Sequence, residues 1–427
     1  MIIHDLIRLG KAASSVEQDP RDTIEMVTSL QDAVGGFYRH VFIVEIARDG
    51  GRSVVCGHPY ADWSEIRSRG TREYYAPQME RACAAPFIIP SGGNPRNPQG
   101  MYSVSAYMVY EKDFLAFPNN PEKIVSFLLA RARRTVNLTI STEELEQAAE
   151  ELSKAFAGCG TSAKDKYMGV ILLCDCTEGG LFEYGSKTES GPSRVPIAES
   201  RIYPDKWILA RLDRYIPLLW QAKFAEGAES GITKSPRGAC RFCAKKGTVV
   251  STYCKAWPWM TTTWEGPLPQ FLGSKHLVKA IAACEDCYKY LTYGANLVTS
   301  GMVIMHNWLV NEVFSPVSSA SVQNRKSEQI FGISYVLPLL DEQLADPETV
   351  EEFVDAHKSL RDTERGAALH LGRLIGLEYA LPLELMEDDY RLTILYFSGD
   401  PSRSDIHLRA SIEDVMPSVA GELYDIL

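Results

Sequence analysis

Apolar positions recur at helical spacing through residues 1–36, at Leu6, Ile7, Ile24, Val27 and Leu30, until Gly35 and Gly36 break the run. Residues 41–47, VFIVEIA, form an unbroken apolar stretch of strand length. A loop-rich stretch follows and is most irregular at 90–100, PSGGNPRNPQG, where prolines and a glycine pair can continue neither a helix nor a central strand. Residues 103–110 alternate as a strand. Residues 121–134 predict a helix ending in Arg131, Arg133 and Arg134, where cations either favour the negative end of the helix dipole or contact a phosphate. Ser141 and Glu144 have capping-box spacing, and Leu145, Ala148, Leu152 and Phe156 then share one helical face. The run at 168–174 fits a buried strand, and 205–226 reads as a strongly apolar helix. Glycine, serine and proline at 226–240 mark a domain boundary. Residues 288–314 are apolar and helical in part, 347–379 predict helices with acidic faces, and 391–397 with 405–410 read as a hairpin across the turn SGDPSRS.

The chain has 427 residues, long enough for two or three domains and for a sizeable core without disulfides. With 45% apolar and 23% charged residues it is not a disordered or low-complexity chain. No apolar run approaches membrane-spanning length, and the opening MIIHDLIRLGKAASS lacks the pattern of a signal peptide. The ten cysteines are therefore expected to be thiols or metal ligands in the cytoplasm. A net charge of −11 argues against a general nucleic-acid binder, but the charge is uneven. Residues 341–427 hold 20 acidic and 7 basic side chains. Residues 231–280 hold eight basic ones, among them Lys234, Arg237, Arg241, Lys245, Lys246 and Lys255, against one acid, Glu265. Such a local patch either attracts phosphate or is a solvated surface.

The strongest motif is Cys240-Arg-Phe-Cys243 followed, after forty residues, by Cys284-Glu-Asp-Cys287. Two CxxC knuckles can set four thiolates around one tetrahedral zinc ion, which would then be structural because no position is left for a catalytic water. The gap exceeds that of common zinc ribbons, so the insert must loop out and return. Four free buried cysteines, a site without metal and a redox pair are the competing readings, and Cys254 and His276 in the insert are less favoured alternative ligands. The insert mixes tryptophans with lysines, a composition that stacks bases or packs a small core. Cys174-Asp175-Cys176 reads as buried structure. There is no phosphate loop, no HExxH and no GxSxG, and no enzymatic reaction is expected.

The second knuckle continues as ACEDCYKYLTYGANLV. With the first knuckle and the long insert, it resembles the zinc-finger segment of the large subunit of type I-B CRISPR Cascade complexes. Residues 390–418, YRLTILYFSGDPSRSDIHLRASIEDVMPS, are similar to that family's strand–turn–strand and I-E-D-V-x-P-S element, and MIIHDLIRLGK more weakly to its helical start. Large subunits of this family usually continue into a C-terminal helical bundle. This chain stops at Leu427, so roles of that bundle are not carried over. The resemblance implies a non-catalytic subunit of an RNA-guided surveillance complex, one that recognises a short duplex motif beside the target and helps open the DNA. It also implies partners: a guide CRISPR RNA, target double-stranded DNA, backbone, guide-capping and small subunits, and a recruited helicase–nuclease or transposition machinery.

These readings give an α+β fold in three parts: an N-terminal α/β region at 1–230, a zinc-finger-like module at 231–300, and an acidic helical region at 301–427 ending in the hairpin. Zinc is the expected cofactor, held by Cys240, Cys243, Cys284 and Cys287. Asn94, Arg96, Asn97 and Gln99, on the irregular loop, are candidates for base edges because amides and Arg suit adenine and guanine, the alternative being an ordinary surface loop. Arg241, Lys245, Lys246 and Lys255 are candidates for phosphates. The acidic C-terminal segment is expected to face solvent or a basic protein neighbour. The rival functions are a zinc-containing nuclease or hydrolase with dispersed catalytic residues, and a scaffold that contacts protein alone.

Overall fold

The computed structural model describes residues 2–16, 40–62, 104–109, 111–136, 140–159, 169–186, 193–230, 237–252, 281–300, 329–337, 391–400 and 405–416, with isolated short pieces elsewhere. The fold is α+β. It forms two compact units, one of residues 19–226 and one combining 1–18 with 227–427. Among the described residues, no helix is long and apolar enough to cross a membrane.

In the 19–226 unit, the run at 41–47 becomes the centre of β1 (His40–Asp49). A two-residue turn joins it to β2 (Arg52–Asp62). Gly50 and Gly51 sit there at φ 54° and 84°, the left-handed pair that a tight hairpin needs and that only glycine adopts freely. β1 also pairs in parallel with β4 (Gly169–Asp175), which pairs antiparallel with β3 (Ala106–Val109). The sheet order is β2-β1-β4-β3. β1 is buried almost throughout because both faces of the sheet are covered, which is why it reads as a continuous apolar run rather than an alternating one.

One face carries three helices: α2 (Glu111–Ala116), α3 (Pro121–Thr135) and α4 (Thr142–Gly158). The capping box of α4 is complete. Glu144 N–H donates to the Ser141 hydroxyl, and Ser141 N–H donates to the Glu144 carboxylate at 2.7 Å. Leu145, Ala148, Leu152 and Phe156 are fully buried against Phe42, Val44 and Ile46 of β1. Phe156 is the hub of this core, 4.2 Å from the Phe42 ring centroid and edge-on to Phe114 at 5.2 Å. Arg131, expected to serve the helix end, donates to Phe127 O and lies 3.5 Å over the Phe127 ring.

The other face of β1 presents Glu45, which has no exposed surface. It accepts from the Tyr184 hydroxyl at 2.8 Å, from the Ser200 hydroxyl, and from Arg201 N–H at 2.8 Å. These donors belong to a second sheet and its connections, ordered β5-β7-β6 and formed by β5 (Phe182–Gly185), β6 (Arg194–Glu199) and β7 (Trp207–Arg211). A buried carboxylate is tolerable only when its oxygens are occupied in this way. Cys174, on the same β4 ladder, is fully buried, and burial pushes its thiol well up, as it does for Cys176. Both fit the structural role read from the sequence.

One expectation is corrected here. Residues 205–226 are not a single helix. Trp207–Arg211 form β7, and α5 (Leu212–Ser230) starts only afterwards. A short apolar run satisfies either element, and the two waiting partners β5 and β6 decide for the strand.

In the other unit, α1 (Ile2–Ala13) packs on α6 (Glu285–Ser300). The crossing is glycine to backbone on both sides. A Cβ on Gly10 would overlap Tyr290 O, and one on Gly294 would overlap Leu6 O. Four strands make an antiparallel sheet in chain order: β12 (Val303–Ile304), β13 (Gln329–Leu337), β14 (Arg391–Asp400) and β15 (Asp405–Val415). β14 and β15 are the expected hairpin, paired from Asp400↔Asp405 to Leu392↔Val415. Most of 347–379 lies outside the described residues.

Two substitutions test this packing. Glu45→Leu strands three donors, at about 1–3 kcal/mol for each left without an acceptor, and urea unfolding should shift to a clearly lower midpoint. Gly294→Leu forces the two helices apart and should cost about 1–3 kcal/mol or more, read as a lower thermal midpoint. An unmoved midpoint in either would contradict the role assigned.

Candidate metal centre

The local chain around the first knuckle is a short ribbon. β8 (Arg237–Ala239) leads into Cys240, and β9 (Lys246–Thr248) returns antiparallel to β8. Between them the backbone turns through Ala244 at φ 59°, with Ala244 N–H donating to Cys240 O and Cys240 N–H to Lys245 O. This tight reversal turns Cys240 and Cys243 toward one point.

The second knuckle is brought alongside by backbone pairing. β10 (Val250–Ser251) pairs with β11 (Ala282–Ala283), and Arg241 N–H donates to Ala282 O at 2.8 Å. The long gap read in the sequence is thus closed at its neck, with residues 251 and 282 directly opposite. Cys284 follows β11 and immediately precedes α6, and Cys287 lies in the first turn of that helix. The Cys284 sulfur accepts from Cys287 N–H, the place a Ser or Asp oxygen takes at a helix start. The positive end of α6 therefore faces the sulfurs and favours thiolate.

The four sulfurs lie within 4.8 Å of one another, and Cys243 Sγ and Cys284 Sγ are 3.5 Å apart. A tetrahedron with metal–sulfur bonds of about 2.3 Å has sulfur–sulfur edges of about 3.8 Å. The distance is far too long for a disulfide, whose sulfurs stand at about 2.05 Å. All four cysteines are free thiols, three of them buried and Cys243 exposed. The cluster can hold a metal ion.

Electrostatics within the cluster are unequal. Burial raises the Cys240 thiol, but N–H groups of Cys243, Cys284 and Phe242 aimed at its sulfur outweigh that, and its pKa falls to about 7. Burial and the neighbouring thiols lift Cys284 to about 11, and burial and neighbouring charge push Cys287 higher still. Four thiols this close cannot all ionise unless a cation shares their charge.

The sequence-derived phosphate candidates divide. Arg241 and Lys246 are exposed on this knuckle and carry no side-chain ion pair among the described residues. Lys245 differs: its ammonium meets the Asp286 carboxylate at 2.9 Å, and both are exposed. That pair ties the two knuckles together across the site, and Asp286 pushes the Lys245 pKa up. The partnership was not read in the sequence, although Asp286 stands inside the second CxxC. Arg237, counted there only within the basic stretch, is a third exposed cation without an ion pair among the described residues. His4 of α1 lies 6.5 Å ring to ring from Phe242, so the N-terminal helix reaches the knuckle itself. Lys255, Cys254 and His276 lie outside the described residues, as do Asn94, Arg96, Asn97 and Gln99.

Comparison with family models, curated proteins and solved structures finds no match to this chain.

Because Cys284 and Cys287 hold their protons at neutral pH without metal, binding must displace at least two protons. Apparent metal affinity should therefore fall roughly 100-fold per unit of falling pH through the neutral range. Competition with a chromophoric chelator measures this. A pH-independent affinity would mean that the sulfurs are not the ligands.

Proposed function

We propose that this chain is a zinc-stapled, non-catalytic large subunit of an RNA-guided DNA surveillance complex, related to the type I-B CRISPR Cascade large subunits that its motifs resemble. The ion assigned is zinc, because an all-sulfur set of four favours a soft tetrahedral cation and leaves no open position for turnover. The guide RNA reads most of the target by base pairing. The protein reads a short flanking duplex motif and grips phosphates, and partner subunits and a recruited helicase–nuclease or transposition machinery do the rest. Such an assembly works in the cytoplasm.

The observation that carries this reading is the knuckle itself. A four-sulfur cluster presents Arg237, Arg241 and Lys246, all exposed and without an ion pair among the described residues, on a chain whose net charge is −11. A subunit anchored by guide and neighbours needs local cations rather than a basic surface everywhere. The acidic stretch at 341–427 then serves solvent or a basic protein neighbour.

The test is purification of the chain from its native host with whatever accompanies it. One zinc per chain and a short RNA of defined length are expected. A preparation with zinc and no RNA, whose partners show no dependence on flanking DNA sequence, would favour the protein-only scaffold. Metal-dependent hydrolysis of nucleic acid by the pure chain would favour the enzyme.

A further inference from the structure

The β8–β9 ribbon has two unlike faces. Strand alternation and the register Arg237↔Thr248, Gly238↔Gly247 and Ala239↔Lys246 put Arg237, Ala239, Lys246 and Thr248 on one face, and the two glycines on the other. On the glycine side, a Cβ at Gly238 would stand 3.3 Å from the Val249 side chain, so the ribbon's back is held close to the buried Val249 and Val250. Every residue of both strands is exposed. The front face carries two cations as diagonal neighbours, a placement that sets residues about 7–8 Å apart, with only Ala and Thr between them. Residues 237–248 contain no acidic side chain. The ends of the ribbon are fixed, one by Cys240 and the other by the step into β10.

We propose that this front face is the surface that meets duplex DNA, with Arg237 and Lys246 each contacting a phosphate. The inference deepens the function proposed above and rests on it. Three features choose duplex DNA as the occupant. The face is positively charged, with no ion pair to Arg237 or Lys246 among the described residues, and so is complementary to a phosphate backbone. A two-stranded ribbon has the width that the major groove of B-form DNA admits, whereas the deep, narrow major groove of an RNA helix excludes it. Single-stranded RNA is held chiefly by bases stacked on aromatic rings, and none of the four residues on this face is aromatic; Phe242, in the turn of the knuckle, is only half-exposed and lies beside His4. Lys245, engaged with Asp286, is left out of the contact. The metal's part is mechanical: it fixes the base from which the ribbon projects.

The experiment uses the full chain. Binding of a mixed-sequence DNA duplex and of a single-stranded RNA is measured over a series of salt concentrations for the native protein, R237A/K246A and K245A. Each phosphate contact contributes about 0.9 to the slope of log affinity against log salt, so the double variant should lose about two units of slope on the duplex. K245A should leave the slope unchanged, and bound metal should remain at the native level in both. An unchanged slope in R237A/K246A overturns the inference. So does a loss confined to single-stranded RNA, or an equal loss in K245A. Failure here is separable from failure of the function proposed above. Co-purification of a defined short RNA tests the assembly, whereas the salt slope of the pure chain tests the ribbon.

Discussion

Like-charge repulsion among four sulfurs governs the cysteine module of this protein. The fold spends considerable structure on overcoming it. A left-handed turn at Ala244, a two-residue ladder between β10 and β11, and the first turn of α6 all converge on one point. Without a cation, Cys284 and Cys287 would stay largely protonated in a confined space, and the convergence would have little to hold it. With one, the knuckles, the Lys245–Asp286 pair and the base of the ribbon become a single rigid body. The N-terminal helix joins that body from outside the module, through its glycine crossing with α6 and the approach of His4 to Phe242.

The 19–226 unit solves a different problem, which is how to cover both faces of a short mixed sheet. Its helical side is settled by aromatic packing around Phe156. Its other side is settled by polarity. Glu45 interrupts an otherwise apolar strand, and its two oxygens fix the position of Tyr184, Ser200 and Arg201. A buried carboxylate contributes little net stability compared with an apolar pair, but it tolerates few alternative packings because each leaves a donor or an oxygen unmet.

Local physics made much of this legible. The capping box before α4, its four-residue buried stripe, the strand at 41–47 and the terminal hairpin all follow from spacing that only one element satisfies well. The four cysteines were legible for the same reason: two CxxC turns have few other uses. Long-range pairing was not legible. Trp207–Arg211 forms a strand because β5 and β6 flank it, and nothing within its own residues says so. Likewise, Gly10 and Gly294 are ordinary helix-interior glycines until their helices cross. Lys245 looked like its neighbours until a carboxylate forty-one positions away paired with its ammonium.

The neck formed by Val250–Ser251 against Ala282–Ala283 has a consequence for how such a protein changes over evolutionary time. The chain leaves and re-enters the module at adjacent points, so the stretch between them is tethered without stretching or compressing the sulfur cage. Loop closure costs only about 0.6 kcal/mol more for each doubling of loop length. Insertions, deletions or wholesale exchange there leave the cage's geometry untouched. The neck makes that stretch a replaceable cassette, exchangeable while the four cysteines keep their places.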